Sequence, residues 1–340
     1  MASFKFRHQA ARRRSRQLAG LFWLGLPICG LLYGTLFYSL ARFVFVWNPD
    51  NAREFGHWCG GLFIFIALVN YLNAHYDLTQ LPAAELAKRL GASPLQPKNY
   101  PEHKRLENIV QELAIAAHQP QPQVMLLRRA EDINGLVLGD GTGQLVLCVS
   151  QGALHHLNRA ELTALIAHEF GHIAADDVPI NLHLTAVLYG YFSISQWADI
   201  GRIGLSPGHE RSLFRFSLLH DENGQPTFLG LYLGFLGILL HCYGKVLQSA
   251  FARDRERMAD AKAIEYTRDS SALVSVFKKM LALDRRGLHS QIATGEFAHL
   301  YFWSRESIFA SHPSLEERIR NCGGRVSEQE INELARHLAN

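Results

Sequence analysis

The sequence is poor in cysteine and in charged residues. Its five cysteines form no C-x-x-C pair, so neither a disulfide framework nor a cysteine-type zinc site is expected. Charged residues make up 19% of the 340 positions, against roughly 25% in an average soluble domain. The composition excludes disordered and collagen-like chains, and a mean hydropathy of −0.03 excludes a chain that is mostly membrane. A few membrane spans joined to a polar domain remain compatible with these averages.

Charged residues are absent from two long runs near the N-terminus. As a helix, Leu18 to Ala41 would measure about 36 Å, more than the ~30 Å hydrocarbon core of a bilayer. The second run, Phe55 to Ala74, follows after a short polar loop at residues 48–54. We predict a transmembrane hairpin over residues 18–76. A cleaved signal peptide, the alternative for the first run, would be shorter and would not be followed by a second span.

Basic residues dominate the segment before the first span. Residues 1–17 contain six lysines and arginines and no acidic residue, which by the positive-inside rule predicts a cytoplasmic N-terminus. The hairpin then returns the chain to the cytoplasm. A nucleic-acid-binding arm is the weaker interpretation, because this basic cluster is confined to the first 17 positions and a span begins directly after it. We therefore predict no nucleic-acid partner.

Two further apolar runs lie in the middle of the chain. Val178 to Ala198 lacks Asp, Glu, Lys and Arg, and Thr227 to Gly244 is a second run of 18 residues. The stretch between them is not basic, whereas residues 253–268 contain five lysines and arginines. This asymmetry predicts a second membrane hairpin within residues 178–250, with its loop outside the cytoplasm. A pair of buried or interfacial helices is the alternative, since 18 residues is near the lower limit for a span.

The remaining segments are typical of an α+β domain. Apolar residues at helical spacing predict a helix over residues 101–118, which a Pro-Gln-Pro sequence ends. Short apolar runs at 124–127, 133–138 and 144–149 are separated by charged or glycine-rich turns and predict three strands.

One helix carries a metal-binding pattern, H-E-x-x-H, at residues 168–172. His168 and His172 are four residues apart, so both imidazoles share one helical face and can reach one metal ion. Glu169 stands beside that face, where it can hold a metal-bound water. Asn158 and Glu161 form a capping box at the start of the helix, flanked by Leu157 and Leu162 as a hydrophobic staple. The alternative is a buried helix whose histidines form only local hydrogen bonds.

A catalytic zinc site needs a third protein ligand, and the candidate is Glu256. It lies in a charged stretch, residues 253–260, in which Asp260 follows four residues later on the same helical face. A carboxylate at that place can accept the free N–H of a ligand imidazole and so fix its tautomer. A solvated charged helix is the alternative interpretation.

These motifs, in this order, resemble the M48-type membrane zinc metalloproteases, in particular the HtpX-like group. The resemblance extends over about residues 80–325 and rests on the segments 107–117, 133–134, 157–173, 253–260 and 311–319. It implies an α+β, mainly helical fold of the zincin (gluzincin) type with a small sheet, two N-terminal transmembrane helices and two inserted ones. The protease domain would then consist of residues 77–177 and 251–340, with the second hairpin, 178–250, between them.

The resemblance also implies a role for individual residues. His168, His172 and Glu256 would bind one Zn²⁺ per chain, Glu169 would be the general base and acid, and Asp260 would orient a ligand histidine. His312 and Arg318 match positions that line the family's active site and help to hold the oxyanion.

Three of these positions carry qualifications. His312 could instead be a turn residue before Pro313, and Arg318 could form a surface ion pair with Glu316 or Glu317. Asn134 matches a residue beside the substrate-binding edge strand, where the family usually has Ala next and this chain has Gly135.

The implied function is that of a multi-pass zinc endopeptidase of the inner (cytoplasmic) membrane, with its catalytic domain in the cytoplasm. It would cleave membrane or misfolded proteins in protein quality control, by Glu169-assisted attack of zinc-bound water. Its partners would be the lipid bilayer and protein or peptide substrates, and the sequence carries no signal of oligomeric state. His172 lies six residues before the third apolar run, about 9 Å along a continuous helix, and Glu256 lies 12 residues after Gly244, about 18 Å. If both runs span, the zinc site is expected close to the cytoplasmic membrane surface.

Two other functions stay open. The chain could be a catalytically silent membrane scaffold that keeps zinc for structure, although such a site needs no base like Glu169. It could also be a protease for lipidated C-terminal peptides, a related branch of the superfamily that typically has more than the four spans predicted here.

Overall fold

The computed structural model describes residues 2–140, 142–197, 228–287, 302 and 312–338. The chain divides into two compact units. One comprises Met1–Asp77 and His183–Gln248, and the other comprises Leu78–Leu182 and Ser249–Asn340. Each unit is therefore built from two stretches of the chain that are distant in sequence.

The first unit begins with two long helices. Helix α1 (Ala2–Ser39) continues into a π-helical turn (Leu40–Val44), and α2 spans Pro49–Gln80. Within them, Trp23–Val44 and Pro49–Gln80 are long and apolar enough to cross a membrane, by length and composition. Residues 49–54, predicted as loop, are already helical, because the Asn48 side chain accepts a hydrogen bond from the Asn51 N–H and proline suits a first helical position.

Two more helices, α7 (Asp177–Trp197) and α8 (Phe228–Thr267), pass from one unit into the other. Within the first unit, α7 contacts α2 through Tyr71 and His183, whose Oη and Nδ1 atoms lie 3.2 Å apart. The predicted loop of the second hairpin falls on residues 198–227, which lie outside the described residues. That hairpin therefore stays a prediction.

The second unit contains a small mixed sheet. Its strands are β1 (Ala92–Pro94), β2 (Gln123–Leu127), β3 (Gly135–Gly139) and β4 (Leu145–Ser150), in the spatial order β1-β2-β4-β3. Strand β2 runs parallel to β4, and the other two pairs are antiparallel. The three predicted strands are confirmed to within two residues at each end. The three-residue strand β1 was not predicted.

The same unit contains several shorter helices. They are α3 (Ala83–Arg89), α4 (Pro101–Ala117), α5 (Gln151–His156), α6 (Arg159–Ala174), α9 (Ser270–Arg285), α10 (Leu315–Asn321) and α11 (Glu328–His337). Helix α4 confirms the helix predicted over 101–118. The core consists largely of apolar side chains from α4, α6 and α9, and 11 of the 16 residues of α6 are buried. A mainly helical fold with a small sheet is therefore confirmed.

The start of α6 follows the predicted capping box. The Asn158 side chain accepts a hydrogen bond from the Glu161 N–H at 3.0 Å, and the Glu161 carboxylate accepts one from the Asn158 N–H at 2.8 Å. Glu161 is also bound by Ser275 and Lys279 of α9, each at 2.7 Å. The cap therefore anchors α6 to its neighbour as well as fixing where it begins.

The end of α6 differs from the prediction. A continuous helix from His172 into the third apolar run is wrong, because α6 ends at Ala174 and α7 begins at Asp177. Between them Asp176 adopts a left-handed conformation, with φ of +55°, which a continuous right-handed helix does not contain. Helix α8, in contrast, is continuous from Phe228 through Glu256.

Candidate metal centre

Two imidazoles face each other on the buried helix α6. His168 is fully buried and His172 largely so, and their Nε2 atoms lie 3.1 Å apart. The i, i+4 spacing places both rings on one face of the helix, as predicted. The neighbouring Glu169 is 2% exposed, so its carboxylate is also held in the interior.

Helix α8 brings a carboxylate to the same place. Glu256 Oε1 lies 3.3 Å from His172 Nε2, and Glu256 Oε2 lies 3.6 Å from His168 Nε2. The interpretation of residues 253–260 as a solvated helix is wrong, because Glu256 and Asp260 are both about 95% buried. Only the opposite face, with Arg253 and Arg257, is exposed.

This donor set fits a divalent cation. One ligand atom from each of His168, His172 and Glu256 can be chosen so that all lie within 4.8 Å of one another, the one such group among the described residues. Ligands at about 2.0–2.2 Å from a tetrahedral zinc would lie roughly 3.3–3.6 Å apart, close to the separations observed. The outer nitrogens are engaged elsewhere, with His168 Nδ1 2.9 Å from Asp260 and His172 Nδ1 2.8 Å from Asp177. With the proton of each ring on Nδ1, both Nε2 atoms keep a lone pair that can bind a cation.

Arg318 holds Asp260 in place. Its Nε donates to Asp260 Oδ2 at 2.9 Å, its Nη2 to Asp260 Oδ1 at 2.6 Å, and its Nη1 to the carbonyl of Phe302 at 2.9 Å. The side chain is fully buried, so the alternative of a surface ion pair with Glu316 or Glu317 is wrong. Glu317 pairs instead with Arg257, at 2.6 Å.

His312 also lies at this centre, beside Glu256. Its Nδ1 is 3.3 Å from Glu256 Oε2, and the residue is 4% exposed. Neither ring nitrogen has a hydrogen-bond partner within the part of the chain that the structure describes. An imidazole in this position can donate to a bound group near the metal ligands.

Burial and neighbouring charges together set the pKa values of the centre. Burial raises the pKa of the Glu169 carboxyl to about 7, although the nearby His172 opposes the shift. Burial also lowers the pKa of His168 to about 4, against the hydrogen bond to Asp260. Glu256 goes the other way, because His312 and Arg318 outweigh burial and hold its pKa well below the usual range. Glu169, a base with a pKa near 7, thus lies beside the neutral imidazole of His168 and the ionised carboxylate of Glu256.

Comparison with known proteins agrees with this geometry. The family model for Peptidase family M48 matches residues 101–326, which is more than half of the chain and includes all the residues above. The chain belongs to peptidase family M48. Relatives include the protease HtpX homologs of Thermoanaerobacter pseudethanolicus and of Caldanaerobacter subterraneus subsp. tengcongensis. They are 30% and 31% identical over 264 and 273 residues, covering 76% of this chain and 82% of each relative.

A solved structure is also similar to this M48 peptidase. The crystal structure of S. mikatae Ste24p covers 86% of this chain at 18% identity, with a TM-score of 0.44, and the match spans 61% of that chain. The resemblance to HtpX-like M48 proteases is confirmed by the family and the relatives. The predicted enzyme class is likewise confirmed, since the chain is a metalloendopeptidase by family.

The edge of the sheet lies against the M48 motif helix. Strand β3 is the last strand of the sheet, and a Cβ placed on its first residue, Gly135, would lie 3.4 Å from Glu169 Oε1. That is an ordinary contact, so the Ala usual in the family would fit here as well. Asn134 is buried, with its side-chain amide donating to Asp132 and its backbone N–H donating to the Ser150 hydroxyl. These contacts fix the point at which β3 begins.

Three residues of the centre were not predicted from the sequence. Asp177 binds His172, Arg255 forms an ion pair with Asp177, and the Phe302 N–H donates to the Gly135 carbonyl at 2.7 Å. Arg255 directly precedes Glu256, and this adjacency in the sequence is the one signal that points to it. Asp177 is five residues from His172, a spacing that would place it on a different face of a continuous helix.

Proposed function

We propose that this M48 peptidase is an integral-membrane, zinc-dependent endopeptidase with one Zn²⁺ per chain. His168, His172 and Glu256 would hold the metal. The observation that carries the proposal is the convergence of these three ligand groups, within 4.8 Å, next to the buried carboxylate of Glu169. A purely structural metal site would need no acid or base beside it.

Glu169 is the group that would move protons. When bound, zinc lowers the pKa of a coordinated water toward about 7 and polarises a carbonyl oxygen. Glu169 Oε1 is buried and has no hydrogen-bond partner among the described residues, so it can accept a proton from a nucleophile. A carboxyl whose pKa burial has raised to about 7 can also return that proton to a leaving amine near neutral pH.

The surrounding residues have different parts in this proposal. Arg318 and Asp260 act on the metal ligands, since the nitrogens of Arg318 are engaged with Asp260 and Phe302, and its Nη1 also lies 3.3 Å from Glu256 Oε2. His312 lies 3.3 Å from Glu256 Oε2 through Nδ1, and its Nε2 has no hydrogen-bond partner among the described residues, so it is the better donor toward developing negative charge. Asn134 contributes by fixing the start of the edge strand.

An extended peptide could pair with the outer edge of β3. Along β3 the backbone groups point alternately toward β4 and away from it. The Gly135 carbonyl points away from β4 and accepts a hydrogen bond from the Phe302 N–H. By the same alternation the N–H and C=O of Val137 point outward. A substrate strand that pairs with Val137 would run beside Gly135, against which the Glu169 carboxylate lies, and at Gly135 itself it would have to replace the Phe302 N–H.

The membrane assignment rests on two kinds of support. Two helices are apolar and long enough to span, and the relatives are named as HtpX-type proteases. We propose residues 1–17 as a cytoplasmic segment, 18–76 as the first hairpin, 178–250 as the second, and 77–177 with 251–340 as the cytoplasmic protease domain at the inner membrane. Substrates would be membrane or misfolded proteins.

The test is the substitution Glu169→Gln in the full chain, purified in detergent. Gln has nearly the same shape but cannot accept a proton, so we expect zinc to stay bound while cleavage of casein or a membrane-protein substrate falls at least 10²-fold. Metal analysis and a cleavage assay on the same sample measure both. Glu333→Gln, on the exposed face of α11, is the matched control and should retain full activity.

Each outcome separates the candidate functions. Full activity of Glu169→Gln would contradict the proposed mechanism. Zinc bound without cleavage in the unmodified chain would favour the scaffold. Cleavage confined to lipidated C-terminal peptides would favour the second alternative.

A further inference from the structure

The second ligand histidine is held by a buried charge pair. His172 Nδ1 lies 2.8 Å from Asp177 Oδ2, and Asp177 in turn forms an ion pair with Arg255. Asp177 is 1% exposed and Arg255 is 8% exposed, so both charges are removed from water. Arg255 also lies within 3.5 Å of the carbonyl of Ala175, in the link between α6 and α7.

This arrangement repeats the one at the first histidine. On that side the order is His168, Asp260 and Arg318, with the carboxylate between the imidazole and the guanidinium. On this side the order is His172, Asp177 and Arg255. Each buried carboxylate therefore has both an imidazole and a guanidinium as partners, which is what makes its burial tolerable.

The helix break is what brings Asp177 to His172. In a continuous α-helix a residue five positions later would point about 140° away. Here α6 stops at Ala174, Asp176 turns the backbone with φ of +55°, and Asp177 starts α7 facing back toward the imidazole. Arg255 reaches Asp177 from α8, one residue before Glu256. The same turn of α8 therefore supplies both the metal ligand and the guanidinium that holds Asp177.

We propose that Asp177, held by Arg255, is a positioning residue for the metal ligand His172. This inference rests on the proposed function. The carboxylate accepts the Nδ1–H, which keeps the lone pair on Nε2, directs it toward His168 and Glu256, and increases the basicity of the ligand. The residue does not contact the reacting atoms, and its effect is on how tightly and in what geometry the metal is held.

The test compares metal affinity in Asp177→Asn with that in the unmodified full chain, by competition with a chelator. We expect a loss of about 10–100-fold in zinc affinity, the size usual for partners that orient a metal-bound histidine. Cobalt(II) substituted for zinc gives a second readout, a changed visible absorption spectrum, because the orientation of one imidazole is relaxed. The melting temperature of the metal-free protein measures separately the stability that is lost when the buried Arg255 is left without its charged partner.

Asp176→Asn is the matched control. It removes a carboxylate one position earlier, at an exposed residue whose left-handed conformation Asn tolerates, and zinc affinity should be unchanged. Equal zinc affinity and an identical cobalt spectrum in Asp177→Asn and the unmodified chain would overturn the positioning role while leaving the proposed function intact. No zinc binding by the unmodified chain would overturn both.

A second variant covers the case in which Asp177→Asn does not fold. Arg255→Gln keeps the Asp177 carboxylate but removes the charge that fixes its position. We therefore expect a smaller loss of zinc affinity, about 3–10-fold. Arg255→Lys, which keeps the charge, should recover part of that loss. Unchanged affinity in Arg255→Gln, or loss of folding in both variants, would assign the pair to stability alone and overturn the proposal.

Discussion

Arg318 is the largest fully buried side chain among the described residues. Its guanidinium lies 4.4 Å from the ring centroid of Phe277 and 4.6 Å from that of Phe302, while its nitrogens bind Asp260. A buried cation is tolerated only when its hydrogen bonds are satisfied, and the planar guanidinium satisfies them in two directions at once. Positioning of His168 therefore depends on the shape of this residue as well as on its charge.

Arg318→Lys tests that dependence. Lysine keeps the positive charge but cannot bind Asp260 through two nitrogens or stack on the two rings, so we expect a loss of about 1.5–3 kcal/mol in the free energy of unfolding. Thermal or denaturant unfolding of the metal-free protein measures it. Arg257→Lys, at an exposed ion pair with Glu317, is the control and should change stability by less than about 0.5 kcal/mol. Equal stability of the two variants would contradict the assignment.

At the scale of whole elements, glycines decide how α1 and α2 pack. Gly30 and Gly34 on α1 face Gly56 and Gly60 on α2, each pair spaced four residues apart. A Cβ on Gly60 would lie 2.5 Å from the carbonyl oxygen of Gly30, and one on Gly56 would lie 2.5 Å from that of Gly34. The two backbones therefore approach closely, as small residues allow in membrane helices.

We expect Gly60→Val to separate the two helices. The added side chain meets backbone, which cannot move aside cheaply, so the hairpin should lose about 1–3 kcal/mol of stability. Lower thermal stability in detergent and faster amide exchange along α1 and α2 would show it. Gly61→Val is the matched control, since nothing lies within 4 Å of a Cβ at that position. If both variants behaved alike, close packing through Gly60 would be refuted.

At the scale of the whole molecule, one compact unit is assembled from residues 78–182 and 249–340 and contains the complete metal centre. The intervening stretch belongs to the other unit, together with the first two helices. We propose that this insertion is a second membrane hairpin, which would tether the catalytic unit through both α7 and α8.

A tag inserted after Gly208 tests this topology. If the hairpin spans, the tag lies on the outer side of the membrane and is digested by protease added from that side, because the positive-inside rule keeps the flanking basic residues in the cytoplasm. A tag at the C-terminus, on the proposed cytoplasmic side, is the control and should be protected in the same cells. Protection of the Gly208 tag would refute the second hairpin.

Local interactions explain what the sequence by itself determined. The capping box of Asn158 and Glu161, the i, i+4 pair His168 and His172, and the helix over 101–117 depend on residues within a few positions of one another. The three longer strands and the two long apolar helices are also patterns of neighbouring residues. Glu256 and Asp260, far from α6 in sequence, were predicted from the need of the H-E-x-x-H motif for a third ligand and from their own i, i+4 spacing, and the family resemblance implied the same roles.

Only the tertiary structure decided which distant groups meet. The partner of His172 depends on one left-handed residue, Asp176, which no apolar pattern marks. Whether Arg318 is a surface ion or a buried clamp depends on the packing of α9, α10 and Phe302 around it, and the contact of Gly30 with Gly60 depends on how two helices approach. The physical reason is that periodicity tells which face of an element is buried, whereas the position of each buried charge is set by contacts between elements.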